Sequence, residues 1–263
     1  MKIFRPVFAA IVLVLAGCAS VKTTQMTPTP TGIVAVAIAG KGLPVVVLQS
    51  GLGDGKAPWA PVYSALAETN TVFAYDRPGY GDSPATKSPR DPCTIATELR
   101  NALRAANLPP PYVLVGHSLG GLYQYAFAKL YPDDVAALVL LDPTHPDHWR
   151  RMQTESPATA TLLKGIRATA FDAASRSEFD NQAVCIERID MRTPLSIPVR
   201  LLVRTQFQAI ESGPFETMVH SLESDWQKML GASEINRVAG SGHYIQKDRP
   251  EVVIQQIRSV AGK

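Results

Sequence analysis

An α/β fold, with a mostly parallel sheet covered by helices on both faces, is what this 263-residue sequence predicts, and three observations carry the expectation. Short, near-continuous apolar runs recur along the chain, among them Val45-Val-Val-Leu48, Tyr112-Val-Leu-Val115 and Val135–Leu141, as strands buried on both faces require. Segments with apolar side chains at helical spacing separate them, at residues 58–69, 94–107 and 119–130, and such alternation calls for parallel strands joined by right-handed crossovers. At one strand-to-helix junction stands Gly116-His-Ser-Leu-Gly120, a pattern of small residues around a serine that a sharp turn needs.

Taken in order, residues 33–39 and 44–49 read as two strands joined by the Gly40-Lys-Gly42 turn,. The second runs into Ser50-Gly-Leu-Gly-Asp-Gly55, whose glycines let a loop pass close to a ligand,. A helix over 58–69, with Pro58 near its start, leads to a strand over 71–75 and the turn Asp76-Arg-Pro-Gly-Tyr-Gly-Asp-Ser83, which the Asp76 side chain is expected to cap,. The helix over 94–107 is stopped by Pro109-Pro-Pro111,. After the strand ending at Asp142-Pro143 the pattern changes. From 144 to 193 strand-like runs vanish and helical segments at 157–174 and 178–191 replace them, too long for an ordinary connection and therefore read as an inserted helical lid,. A strand over 198–204, a helix over 213–230, a strand over 234–238 and a helix over 250–260 complete the domain.

The serine junction has a chemical logic. If the backbone reverses over Ser118, side chains two positions to either side would collide with the adjoining strand and helix, so Gly116 and Gly120 supply the missing Cβ,. Ser118 is then thrust above the sheet edge, and the N–H of Leu119 faces the same space from the first turn of a helix. Serine is a weak nucleophile near neutral pH and needs a base within hydrogen-bond reach. Of five histidines, His243 has the right setting, following the last strand on Gly240-Ser-Gly242. His117 is one residue off the nucleophile and should point away from it; His145 and His148 either line the lid mouth or are solvated, and His220 sits on a helix surface. No metal is required by serine chemistry, and no cofactor is implied.

Together, Gly116-His-Ser-Leu-Gly-Gly121, the 76–83 turn, Leu138-Val-Leu-Leu-Asp-Pro143 and Gly240-Ser-Gly-His-Tyr244 make residues 32–260 resemble an α/β-hydrolase. The resemblance implies a mostly parallel eight-stranded sheet, a Ser, acid, His triad in that chain order, and a variable cap at 144–193. Relatives with serine at the elbow are commonly esterases, lipases or thioesterases; epoxide hydrolases and haloalkane dehalogenases place Asp there, and Ser118 argues against both. The family's acid usually follows the seventh strand, where this chain brings no aspartate and its first carboxylates are Glu211 and Glu216; a minority place it after the sixth, where Asp142 stands, and the rigid strand end favours Asp142 with Glu211 as the alternative,. By carry-over the N–H of Leu52 is the second oxyanion donor beside that of Leu119, although Ser50 stands where relatives carry His. Tyr123, Trp149, Phe171, Phe179 and Phe207 are candidates to line an acyl pocket, or plain core residues. The expected function is cleavage of small or medium carboxylic esters. An amidase, aminopeptidase or thioesterase on the same scaffold, or a non-catalytic envelope binding protein, are the other readings.

Compartment is read from the N-terminus. Lys2 and Arg5 precede an apolar core at residues 7–15, too short to span a bilayer stably, so 1–17 is expected to be a secretory signal,. Leu15-Ala-Gly-Cys18 resembles the lipobox of bacterial lipoproteins, which implies acylation of Cys18; Ala19 rather than Asp favours outer-membrane sorting in a host with two membranes. Residues 18–31, rich in Thr and Pro, are expected to be an extended tether, and 32–263 the folded domain,. Without Cys18, Cys93 and Cys185 remain as an even pair where disulfides persist, free to bridge or to stay as two buried thiols,. A hydrophobic content of 46% against 19% charged residues excludes extended disorder,. The formal charge of +3, or +1 once Lys2 and Arg5 are subtracted, is no footprint for nucleic acid,. The partners expected are a small-molecule ester and, through the lipid, a membrane.

Overall fold

The computed structural model describes residues 20–232 and 234–262; the signal segment and Cys18 lie outside the described residues. Eight strands form one sheet in the order β1-β2-β4-β3-β5-β6-β7-β8. In chain order they are β1 (Gln25–Thr29), β2 (Gly32–Ala39), β3 (Val45–Gln49), β4 (Val72–Tyr75), β5 (Tyr112–His117), β6 (Val135–Leu141), β7 (Val199–Arg204) and β8 (Ile235–Val238). β1 pairs antiparallel with β2, and β2 with β4; the other pairs are parallel. β3 and β5 lie mid-sheet and are buried at every position, which is why they read as unbroken apolar runs.

One expectation is corrected at the N-terminal edge. The tether drawn over 18–31 contains β1, laddered to β2 from Gln25↔Val36 to Thr29↔Gly32, with Val21 and Thr27 buried. Thr and Pro suggested solvated coil, but Thr is β-branched and suits a strand, and β1 is an edge strand, where Pro28 costs no central ladder bond,.

Helices cover both faces. α1 (Ala60–Ala67) and the C-terminal α9 (Pro250–Ala261), preceded by the single turn α8 (Ile245–Asp248), pack Trp59, Val62, Leu66, Val253 and Ile257 on one side. On the other, α2 (Pro92–Ala105) and α3 (Leu119–Leu130) bury Ile95, Leu99, Leu122 and Phe127. α2 begins two residues before the expected start because Asp91 caps it, accepting from the N–H of Cys93 and Thr94, each at 3.1 Å,.

The insertion after β6 is helical, as expected, but divided differently: α4 (His148–Glu155), α5 (Pro157–Thr169) and α6 (Ala173–Asn181), followed by α7 (Pro214–Leu230) beyond β7. The helix expected over 157–174 breaks where Asp172 caps α6, its carboxylate accepting from the Ser175 N–H at 2.7 Å,. The helix expected over 178–191 stops at Asn181; Cys185 adopts φ 71°, which no helix continues through, and only one 3-10 turn, Ile186–Arg188, follows,. Cys185 is bonded to Cys93 at the start of α2, 92 positions away, so the even pair is a disulfide. α4 and α5 rest on α7 through a separate apolar cluster of Met152, Ala160, Phe215, Met218 and Leu222.

Candidate active site

β5 delivers Ser118 onto a turn of φ 53° and ψ −124°, outside the ordinary allowed regions, and α3 begins at the next residue. Such a backbone costs on the order of 1–3 kcal/mol and persists only where its surroundings over-determine it. Here the surroundings are explicit. The Ser118 N–H donates to the Leu141 carbonyl at 3.0 Å, and the Ser118 carbonyl accepts from Gly121 and Thr144, both at 2.9 Å. A Cβ on Gly116 would lie 2.6 Å from the Gly120 carbonyl oxygen, and one on Gly120 would strike the Gln49 and Ser50 carbonyls. The two glycines are therefore required by close approach, one to the first turn of α3 and the other to the end of β3.

A second strained corner stands beside the first. Asp142, directly after β6, has φ 45°, and its neighbours Leu141 and Thr144 are the residues bonded to Ser118. Asp142 Oδ2 lies 2.5 Å from His243 Nδ1 and 3.1 Å from Arg204 Nε, and the Arg204 N–H reaches Oδ1 at 3.4 Å. Burial opposes ionisation of this carboxyl, but the His243 hydrogen bond and the charges of His243 and Arg204 outweigh it and hold its pKa below the ordinary value,. Glu211, the alternative acid, is turned to Arg204 Nη1 at 2.9 Å. Arg204 thus separates the two carboxylates. Sequence reasoning missed it, and its one signal was a cation ending an otherwise apolar strand, Leu201-Leu-Val-Arg204.

His117 is fully buried, and its Nε2–H donates to the His243 carbonyl at 2.9 Å. Burial first, and the neighbouring His243 second, push its pKa down to about 3, so the ring is neutral. Its ring centroid lies 4.7 Å from that of His243, and it holds the backbone of the residue that bears this other imidazole. Ser118 and His243 line one cavity. Among the described residues no hydrogen bond joins the hydroxyl to the ring, a looseness common in unliganded sites,.

The loop Ser50-Gly51-Leu52 is held from beneath. Arg77 Nη1 donates to the Ser50 carbonyl at 2.6 Å and Nη2 to the Gly51 carbonyl at 2.8 Å, while Nε and Nη2 also grip Glu178 at 2.9 and 2.8 Å. Glu178 belongs to α6 of the insertion, is fully buried, and accepts also from Tyr80 at 3.0 Å and from Arg90 at 3.3 Å. Arg90 in turn bonds Glu98 at 2.5 Å. The Ser50 and Gly51 carbonyls each accept from one guanidinium fork, the planar geometry that lysine lacks,. Asp76, expected to cap the adjoining turn, does so through the Asp82 N–H at 3.0 Å and also pairs with Lys56 at 2.5 Å.

Two cavities meet at Ser118. The larger, about 380 Å³, is lined by Ser118, Asp142, His243 and a mostly apolar wall from α4, α5, β7 and α7. The smaller, about 120 Å³, is lined by Ser118, Leu52, Leu119, Trp149 and Phe179. Of the aromatic candidates, Trp149 and Phe179 therefore reach a cavity, their rings 4.8 Å apart, and Phe171 backs Phe179 at 5.8 Å. Tyr123 and Phe207 are corrections. Tyr123 is wholly in the core, 5.4 Å from the Arg77 guanidinium, because it faces the α2 side of α3; Phe207 covers Arg204 at 4.5 Å and His220 at 5.4 Å, and neither lines either cavity. His145, buried, and His148, half-buried, line the larger cavity, and desolvation pushes the pKa of each down to about 4.

Comparison with known proteins agrees with this architecture. Residues 44–176 match the alpha/beta hydrolase fold family. The uncharacterized protein YqjL of Bacillus subtilis (strain 168) is 25% identical over 222 residues, 79% of each chain. A protein of Klebsiella pneumoniae (strain 342) named "Putative carbamate hydrolase RutD" is 40% identical over 114 residues, 42% of each chain. Among solved structures, a thermophilic esterase from Thermogutta terrifontis superposes with a TM-score of 0.65 at 22% identity, covering 90% of this chain and 98% of its own. The epoxide hydrolase CorEH gives 0.67 at 21%, covering 90% and 97%. These likenesses in structure speak for the fold alone. With the family match spanning just over half its length, the chain belongs to the alpha/beta hydrolase family.

Proposed function

We propose that this protein is a serine hydrolase that cleaves carboxylic esters through an acyl-enzyme. The observation that carries the reading is the 2.5 Å contact of His243 Nδ1 with a buried Asp142, at the cavity that Ser118 also lines. With Asp142 ionised, Nδ1 bears the proton and Nε2 is free to accept one. In the reaction proposed, the Ser118 hydroxyl gives its proton to His243 Nε2 as Oγ bonds the ester carbonyl carbon. The N–H groups of Leu52 and Leu119 receive the oxyanion, each such donor typically contributing about 3–4 kcal/mol in the transition state. His243 then protonates the alcohol as the C–O bond breaks, and water repeats the sequence to free the acid.

Labelling by a fluorophosphonate probe, lost together with p-nitrophenyl acetate turnover in Ser118→Ala, is the expected result. A folded wild-type protein that neither labels nor turns over would leave the fold as a binding scaffold. The name of the Klebsiella relative makes carbamates, with anilides and thioesters, the proper competitors in the substrate panel, and esters are expected to lead. We also propose that the chain is exported and lipid-anchored through Cys18 with the domain outside the cytoplasm. Cys18→Ser should abolish metabolic labelling with palmitate, and a label that persists refutes the anchor.

A further inference from the structure

The two cavities do not offer the same chemistry. Ser118, Thr144, His148, Met152 and Leu163 line both. His243 lines only the larger, whereas Leu52 and Leu119 line only the smaller. An ester carbonyl held at Ser118 with its oxygen toward the amides of Leu52 and Leu119 presents two substituents, the acyl chain and the alkoxy group. Only the alkoxy oxygen needs a proton when the bond breaks, and the donor must lie within hydrogen-bond reach of it.

We infer that the alcohol half of the ester occupies the larger cavity, on the His243 side, and the acyl half the smaller, so that the substrates are short-chain acyl esters of longer apolar alcohols. This deepens the serine-esterase reading and rests on it. Volume sets the acyl limit. At roughly 30 Å³ for each water-sized group, the smaller cavity of about 120 Å³ holds about four such groups, and Trp149 and Phe179, rings 4.8 Å apart, stand in its wall. The larger cavity, about 380 Å³, has Phe215 and Trp226 in its own wall but about three times the room. Leu162 and Ile166 on α5 and Ile210 beyond β7 line it and are also 44%, 40% and 61% exposed. Apolar side chains that belong both to a cavity wall and to the outer surface form a mouth, through which a chain longer than the cavity continues across apolar surface. The step is the one already described: Ser118 Oγ–C forms, C–O(alkoxy) breaks, and the serine proton leaves on the alcohol by way of His243.

Two ester series with the full-length protein separate the halves: n-alkyl acetates of increasing alcohol length, and methyl alkanoates of increasing acyl length. In the first, kcat/KM should rise about fourfold per methylene and then level off rather than fall. In the second it should drop about tenfold or more once the acyl group exceeds roughly four carbons. Ile210→Glu should lower the octyl-to-methyl acetate ratio about tenfold, and Trp149→Ala should extend the acyl limit. The reverse ranking, with long acyl groups preferred and long alcohols rejected, overturns the assignment while leaving the esterase reading intact, as does equal tolerance on both sides. No turnover in either series, with no probe labelling of Ser118, overturns both.

Discussion

Asp142→Asn is the substitution that tests the site most severely, because the structure gives two carboxylates and assigns them different partners. Asparagine is isosteric, but its amide cannot accept the Nδ1–H with a charged oxygen, and an amide N–H turned to Nδ1 would fix the ring in the wrong tautomer. In triads of this kind the change lowers kcat by about 10⁴, equivalent to about 5.5 kcal/mol. The same substitution leaves Arg204, itself buried, with Glu211 alone, and removing one partner of a buried ion pair costs about 3–5 kcal/mol of stability. The two losses need separate measurement: kcat with p-nitrophenyl acetate, and urea unfolding followed by far-UV circular dichroism. Glu211→Gln is the matched control. It takes a partner from Arg204 but leaves the 2.5 Å contact between Asp142 and His243 untouched, so kcat should fall less than about tenfold. A kcat loss in Glu211→Gln as deep as that in Asp142→Asn would mean that the wrong carboxylate has been chosen.

Other outcomes follow from the surroundings of the site. Arg77→Lys keeps the charge but cannot grip Glu178 and two carbonyls at once; kcat and the fluorophosphonate labelling rate should fall together by about 10- to 100-fold, part of what one oxyanion donor supplies, and a normal labelling rate in folded protein would refute the positioning role. His117, with a pKa pushed down to about 3, and His145 and His148, each pushed to about 4, are neutral in the fold but take protons near pH 6.5 once unfolded,. The unfolded chain therefore binds more protons, and stability should fall as pH drops from about 6.5 toward 4, by up to about 4 kcal/mol per pH unit for three protons; Asp142, with its lowered pKa, acts with the same sign at still lower pH. Urea midpoints that stay flat across that window would contradict the desolvated, neutral histidines. Cys93→Ser opens a link between residues 92 positions apart and should remove about 2–4 kcal/mol, read as a lower Tm that reducing agent does not lower further.

Much of this was legible in residues whose neighbours in sequence are their neighbours in space. Gly116, Ser118 and Gly120 specify a turn by themselves, and the acid at the end of β6 was within reach of reasoning because strand ends on one sheet edge converge. What escaped depended on contacts across long separations. Arg77 and Glu178 are 101 positions apart, and nothing in local periodicity says that a carboxylate in a polar helix is wholly buried. The strand at Gln25–Thr29 was hidden for another reason: its stability comes from pairing with β2, while its own composition of Thr and Pro suggests coil. Phe207 and Tyr123 show the limit of reading aromatic residues one at a time, since one shields a guanidinium and the other fills the core.

The clamp on α6 also bears on how such a protein can change over time. An insertion fastened only by its two chain ends could be exchanged or trimmed like any loop. Here the segment carries the carboxylate that pairs with both Arg77 and Arg90 and one half of the only cystine among the described residues. Trimming it would strand Arg77 in the interior, leave Arg90 with Glu98 alone, and loosen the strip of backbone that overhangs Ser118. α4 and α5 rest on α7 through an apolar cluster with partly exposed ion pairs at its edge, an attachment that tolerates substitution far better than the buried clamp of α6.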